Sequence, residues 1–255
     1  MVHFVGAGPG APDLITIRGK KYLEEADVII YAGSLVNPAL LDYAKKGCEI
    51  HDSARLNLDE VIEIMKKADG ENKMIVRLHT GDPSIYGAIR EQMDVLDEAQ
   101  IAYDVTPGVS SFCGAAASLN LEYTLPDISQ SVIITRMAGR TKVPEKESVE
   151  ELAAHGATMV FFLSAGDIDG LQKKLFSAGV SKDTPCAIVY KATWEDEKKF
   201  KCELQNLADT ARKEGITKTA LIIVGKVVAG SGYEKSRLYA PDFTTGYRKG
   251  TDQKD

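Results

Sequence analysis

The run Met74-Ile-Val-Arg-Leu-His-Thr-Gly-Asp-Pro83 decides the fold. Its first part, Met74–His79, is very apolar and reads as a strand; Thr80-Gly81-Asp82-Pro83 closes it, and a helical pattern, Pro83–Glu98, follows. Strand, glycine turn and helix together make the repeating step of a parallel α/β sheet, in which ligands bind at the carboxyl ends of the strands. Pro83 suits a first helical position, where its missing N–H costs nothing, and Asp82 is then placed to cap the helix.

The same step appears on either side. Val2–Val5 leads into Gly6-Ala7-Gly8-Pro9-Gly10-Ala11-Pro12, and Tyr103–Thr106 leads into Pro107-Gly108-Val109-Ser110-Ser111-Phe112-Cys113-Gly114 and a helix of small residues. Asp27–Tyr31 is a further strand. Leu58, Val61, Ile62 and Met65 recur at helical spacing over Leu58–Ala68, with Asn57 or Asp59 as the cap. In the second half Ser131–Arg136, Thr158–Leu163, Ala187–Lys191 and Ala220–Val228 read as strands, and Val149–His155, Ile168–Ala178 and Leu204–Glu214 as helices. Asn120–Gln130 holds neither period, because Pro126 and Asp127 interrupt it. The expected organisation is therefore two α/β domains, 1–119 and 120–230, followed by an extended or partly disordered tail over 231–255.

Composition narrows the function. Of 255 residues 44% are apolar and 27% charged, the balance of a folded chain, and 31 basic against 37 acidic residues leave a net charge of −6. No overall positive field gathers nucleic acid or an anionic membrane, so any anionic ligand needs a local basic patch. The four cysteines, Cys48, Cys113, Cys186 and Cys202, and the four histidines are scattered, which argues against a disulfide framework and a local metal cluster and suits a reducing cytoplasm. Cys113, among small apolar residues, reads as packing. No apolar run approaches the roughly 18 residues needed to span a bilayer.

Three glycine-bearing strand ends lie in one half of the chain. Gly6–Pro12 can be read as a dinucleotide fingerprint, but that motif wants an acidic residue after the next strand, and Tyr31-Ala32-Gly33-Ser34 stands there. Gly81 and the Ser110–Gly114 stretch leave room for a ligand against the backbone and for helix N-terminal donors. Capping at Asp82 and close helix–sheet packing at Gly114 are the plain structural alternatives. The densest cationic stretch is Thr135-Arg136-Met137-Ala138-Gly139-Arg140-Thr141-Lys142, whose two arginines can bind carboxylates through forked hydrogen bonds or stand as solvated surface charge.

Taken in order, these four segments resemble the tetrapyrrole (class III) methyltransferases of corrin synthesis, over nearly the whole chain from Phe4 to about Arg248. Tyr31-Ala-Gly-Ser-Leu-Val36, Thr135-Arg-Met-Ala-Gly-Arg-Thr141 with Pro144, and Ala157-Thr-Met-Val-Phe-Phe-Leu-Ser164 are similar to the branch that methylates carbon 11 of precorrin-4. So are Val189-Tyr-Lys-Ala-Thr-Trp-Glu-Asp-Glu197 and Ser236-Arg-Leu-Tyr239 with Phe243 and Gly246-Tyr-Arg248.

The resemblance implies the tetrapyrrole methylase fold, two α/β domains with a cofactor and substrate cleft between them, in a cytoplasmic homodimer of cobalamin (porphyrin-type) biosynthesis. Its cofactor is S-adenosyl-L-methionine and its substrate cobalt-precorrin-4, giving cobalt-precorrin-5A, or the metal-free precorrin-4. Carried over, the cofactor positions are Pro9, Thr80, Gly81, Asp82, Ile85, Ser110, Ser111, Leu163, Ala187 and Ala220. Gly8 and Gly10 would face the tetrapyrrole, and Arg136, Arg140 and Lys142 suit its carboxylates, with Arg18, Arg55 and Arg77 as further candidates. Asp82 is the candidate for removing a proton as the ring carbon becomes nucleophilic. Another corrin-ring methyltransferase of the same superfamily is the further alternative, and the rival classes are a nicotinamide-dependent oxidoreductase and a non-catalytic tetrapyrrole-binding protein.

Overall fold

The computed structural model describes residues 1–251. Contacts divide the chain into two units, one made of Met1–Leu119 with Val189–Lys199 and Thr219–Leu221, the other of Asn120–Ile188 with Phe200–Lys218 and the chain from Ile222 onward.

The first unit contains β1 (Val2–Gly6), α1 (Ile17–Glu25), β2 (Val28–Tyr31), β3 (Glu49–Asp52), α2 (Leu58–Gly70), β4 (Ile75–His79), α3 (Arg90–Glu98), β5 (Tyr103–Thr106) and α4 (Ser111–Leu119). Its sheet is parallel throughout, in the order β3-β2-β4-β1-β5. Both faces are covered, as side-chain alternation requires of so apolar a sheet. Val2, Phe4, Val28, Ile30 and Ile75 pack under Val61, Ile62 and Met65 of α2 and Leu96 of α3. The residues between them, Val5, Ile29, Val76 and Leu78, pack with Leu23 of α1 and with Val36 and Leu40. Asn57 caps α2 in a reciprocal box, accepting from the Glu60 N–H at 3.0 Å while Glu60 accepts from the Asn57 N–H at 2.7 Å.

The second unit contains β6 (Val132–Arg136), α5 (Val149–Ala153), β7 (Thr158–Phe162), α6 (Ile168–Ser177), α7 (Leu207–Lys213) and the greater part of β8 (Pro185–Tyr190), β9 (Lys198–Glu203) and β10 (Ala220–Val224). Its sheet order is β6-β7-β10-β8-β9. β6 pairs with β7 in parallel but β10 runs antiparallel to β7, so the all-parallel expectation fails here.

Other expectations are corrected. The helix expected over Pro83–Glu98 begins only at Arg90, because Tyr86 and Ala88 take left-handed φ values of +56° and +49° that no α-helix tolerates. Pro83 is therefore not a first helical position and Asp82 does not cap a helix. The strand expected to reach Val228 stops at Val224, where Gly225 turns to φ +153°. α1, β3 and β9 were not foreseen. The tail is folded on itself as far as Thr251: the Arg248 guanidinium donates to the carbonyls of Leu238 and Ala240 at 3.0 and 2.7 Å. The part of the expected tail after Thr251 lies outside the described residues.

Candidate functional site

The carboxyl ends of β1, β4 and β5 meet through their backbones. The Ala7 N–H donates to the His79 carbonyl at 2.7 Å, and Gly8 and Gly81 exchange a pair of hydrogen bonds at 3.2 and 2.8 Å. A Cβ on Gly6 would lie 2.5 Å from the Gly108 Cα, and one on Gly108 would lie 2.1 Å from the Gly81 carbonyl oxygen. Gly6 and Gly108 are thus required by main chain packed on main chain. Gly81 differs: its φ is +60°, and the atoms nearest a Cβ there would be the Ser111 nitrogen at 3.4 Å and the Ser110 Cα at 3.6 Å, ordinary contact rather than a clash.

This floor brings together Gly8, Pro9 and Gly10, all buried, with Thr80, Gly81, Asp82 and Ile85 and with Ser110 and Ser111. Asp82 ties two of the loops. Its Oδ1 accepts from the Ser84 N–H at 2.8 Å and from the Ser84 hydroxyl, and its Oδ2 accepts from the Gly108 N–H at 2.9 Å. Partial burial pushes its pKa up, but these donors outweigh it, and the net displacement is downward. Asp82 is held ionised and is a weak base.

Beneath the floor lies a buried polar pair. The Arg77 Nε donates to the Gln92 Oε1 at 3.1 Å and its Nη1 to the Ile30 carbonyl at 3.2 Å, while the Gln92 amide donates to the Ala88 carbonyl at 3.0 Å. Arg77 is only 7% exposed, so it braces the left-handed Ala88 turn and is not a surface contact for a substrate. Burial lowers its pKa to about 10, which leaves it charged at neutral pH. His79, 4% exposed with its Nε2 unpartnered, is pushed down to about 3 by burial and then by the Arg77 charge.

The remaining candidates stand elsewhere. Leu163 follows β7 in a left-handed conformation, φ +50°, and is 75% exposed, an unusual posture for a leucine. Ala187 is buried within β8 and Ala220 opens β10. The Arg136 guanidinium is spent on its own loop, donating to the carbonyls of Met137, Thr141 and Lys142 at 3.1, 3.2 and 2.8 Å. Arg140 and Lys142 are exposed, as are Arg18 and Arg55. Cys113 is exposed on α4 with its thiol only partly covered, while its neighbours Gly114 and Ala115 are buried. Burial of its thiol and the Asp82 charge raise its pKa, so it is no thiolate nucleophile. No group of three or more metal-binding side chains occurs among the described residues, and none of their helices is long and apolar enough to cross a membrane.

The residue reading passed over Asn37 and gave Trp194 no role. The Trp194 indole N–H donates to the Pro9 carbonyl at 3.1 Å, and the Asn37 amide to the Gly10 carbonyl at 2.9 Å. The sole tryptophan of the chain was the one available signal.

The carboxyl ends of β1, β4 and β5 are thus lined by glycine, serine and main chain, and no acidic residue directly follows β2. The family model of the tetrapyrrole (corrin/porphyrin) methylases matches residues 1–208. A cobalt-precorrin-4 C(11)-methyltransferase of Methanocaldococcus jannaschii is 55% identical over 97% of this chain and 96% of its own. A precorrin-4 C(11)-methyltransferase of Rhodococcus erythropolis is 43% identical over 94% and 96%. The X-ray structure of a cobalamin biosynthetic enzyme, cobalt precorrin-4 methyltransferase, is 45% identical, covering 89% of this chain and 95% of its own with a TM-score of 0.87. The chain belongs to the tetrapyrrole methylases.

Proposed function

We propose that this protein transfers a methyl group from S-adenosylmethionine to carbon 11 of cobalt-precorrin-4, giving cobalt-precorrin-5A in cobalamin biosynthesis, as a cytoplasmic homodimer. The observation that carries the reading is the floor at Gly8, Gly81 and Gly108, where three strand ends interlock through their backbones and Gly81, at φ +60°, lies beside the Ser111 nitrogen. Full-length relatives whose names specify this reaction support it.

The residues fit the cofactor. A side chain larger than hydrogen at Gly81 would cover the Ser111 N–H at the start of α4, so glycine keeps that donor accessible. Pro9, Thr80, Asp82, Ile85, Ser110 and Ser111 supply the surrounding main-chain and hydroxyl groups, and Gly8 and Gly10 are assigned toward the tetrapyrrole by the resemblance. When bound, S-adenosylmethionine supplies an electrophilic sulfonium methyl for attack by a ring carbon. For such an in-line displacement the chain's contribution is position: holding reactants at attack distance is worth up to about 7–11 kcal/mol, and no covalent enzyme intermediate is needed. Asp82, ionised with both oxygens engaged, keeps the Gly108 loop against Gly81. Arg140 and Lys142, exposed and with side chains that meet no partner among the described residues, are suited to acetate and propionate groups.

The test is incubation with methyl-labelled S-adenosylmethionine and either cobalt-precorrin-4 or precorrin-4, with the new methyl located by NMR. One labelled methyl at carbon 11 of the cobalt form is expected. A methyl at another carbon, or tight NADH binding with no S-adenosylhomocysteine binding in calorimetry, overturns the reading.

A further inference from the structure

We propose that the Lys191–Glu197 turn is a clamp whose indole, Trp194, fixes the Gly8–Ala11 loop in the position that receives the tetrapyrrole, which makes Trp194 a positioning residue for that substrate. The inference rests on the functional reading above. It concerns residues of the first unit only.

The Gly8–Ala11 loop has no long side chain with which to anchor itself, so its position must come from outside. Three contacts supply it at successive residues. Trp194 donates its indole N–H to the Pro9 carbonyl at 3.1 Å, Asn37 donates its amide to the Gly10 carbonyl at 2.9 Å, and the Thr193 hydroxyl accepts the Ala11 N–H at 2.9 Å. Packing repeats the message. A Cβ on Gly10 would lie 2.1 Å from the Trp194 ring, and one on Gly114 would meet the Pro9 side chain at 2.8 Å and the Thr193 methyl at 3.3 Å. Gly10 is therefore glycine because the indole fills the space its side chain would take.

The clamp is itself braced and strained. Lys191 and Thr193 hold left-handed φ values of +47° and +69°, the latter costly for a β-branched residue, and such strain persists only where the surroundings over-determine it. Here the Lys191 N–H donates to the Thr219 carbonyl at 2.9 Å, the Thr193 N–H to the Glu197 carboxylate at 2.6 Å, and the Trp194 N–H to the Lys191 carbonyl at 3.0 Å. The Lys191 ammonium lies 5.3 Å from the centre of the indole ring, over its face, and pairs with Asp196 at 2.6 Å. A turn held this firmly transmits the place of its indole to Pro9 and Gly10.

The test compares the full chain with Trp194→Phe, which keeps a ring but loses the N–H, Trp194→Ala, Gly10→Ala and the double variant Gly10→Ala/Trp194→Ala. Trp194→Phe is expected to raise KM for cobalt-precorrin-4 about five-fold, the worth of one hydrogen bond, with S-adenosylhomocysteine affinity within about two-fold of the parent. Gly10→Ala alone is expected to lose more than about ten-fold in kcat/KM, and in the Trp194→Ala background to cost nothing further, because the obstructing ring is gone. An unchanged KM in Trp194→Phe, or a parallel fall in S-adenosylhomocysteine affinity that marks general loosening, overturns the clamp. If the parent transfers no methyl group, the functional reading fails, and the clamp is read from equilibrium binding of cobalt-precorrin-4 to parent and Trp194→Phe, equal affinities overturning it. No binding to the parent overturns both.

Discussion

Acid should destabilise the first unit through His79, by an amount that can be worked out. Folded, its imidazole is buried beside Arg77 and its pKa is about 3, against 6.5 in the open chain. Between those values the unfolded state binds a proton that the folded state refuses, so stability is complete above 6.5 and falls as pH drops toward 3. Each pH unit in that window is worth about 1.4 kcal/mol, so lowering the pH from 7 to 5 should cost about 2 kcal/mol from this residue alone. The carboxylates whose pKa values are lowered in the fold, Asp27 and Asp82 among them, titrate below this range and are common to parent and variant. The comparison is with His79→Leu, which fills similar space, removes the unpartnered Nε2 and cannot titrate. Trp194 lies in the first unit and is the sole tryptophan, so its emission during urea unfolding reports that unit. Measured at pH 7, 6 and 5, the parent should lose about 2 kcal/mol more than His79→Leu over the range. Identical pH slopes would refute the assignment of a neutral buried imidazole.

Three further outcomes are expected. Gly81→Val should weaken S-adenosylhomocysteine binding at least about ten-fold, since a branched side chain at φ +60° covers the Ser111 N–H; unchanged affinity in calorimetry counts against the placement. Arg140→Ala should weaken tetrapyrrole binding about five- to ten-fold and leave S-adenosylhomocysteine binding intact, and equal substrate affinity sinks the assignment of this exposed arginine to substrate carboxylates. Asp82→Asn should lower activity by the same factor at every pH, because what is lost is an acceptor for Gly108; an acid limb present in the parent and absent in the variant would instead make Asp82 the base.

The α/β alternation was legible because β1, β2 and β4 of the first unit are largely apolar runs with a glycine at or just after their ends, and period and punctuation are local. Local signals also misled. Asp82-Pro83 has the chemistry of a helix start, yet Tyr86 and Ala88 turn left-handed and Asp82 spends its oxygens on Ser84 and Gly108, the latter 26 residues away. The glycines show the same limit more sharply. Gly6, Gly81 and Gly108 look alike in sequence, as strand-end residues that let a ligand approach. In space Gly6 and Gly108 are hemmed in by main chain, and of the three only Gly81 would take a Cβ without a clash. Gly10 is different again, because what excludes its side chain is an indole 184 positions further along the chain. Which of four equivalent glycines serves packing, ligand or clamp depends on contacts between distant segments, and no window of neighbours contains them. Main chain packed on main chain carries few diagnostic side chains of its own, so its signature is displaced onto the residues that hold it in place, here Asp82, Asn37 and Trp194.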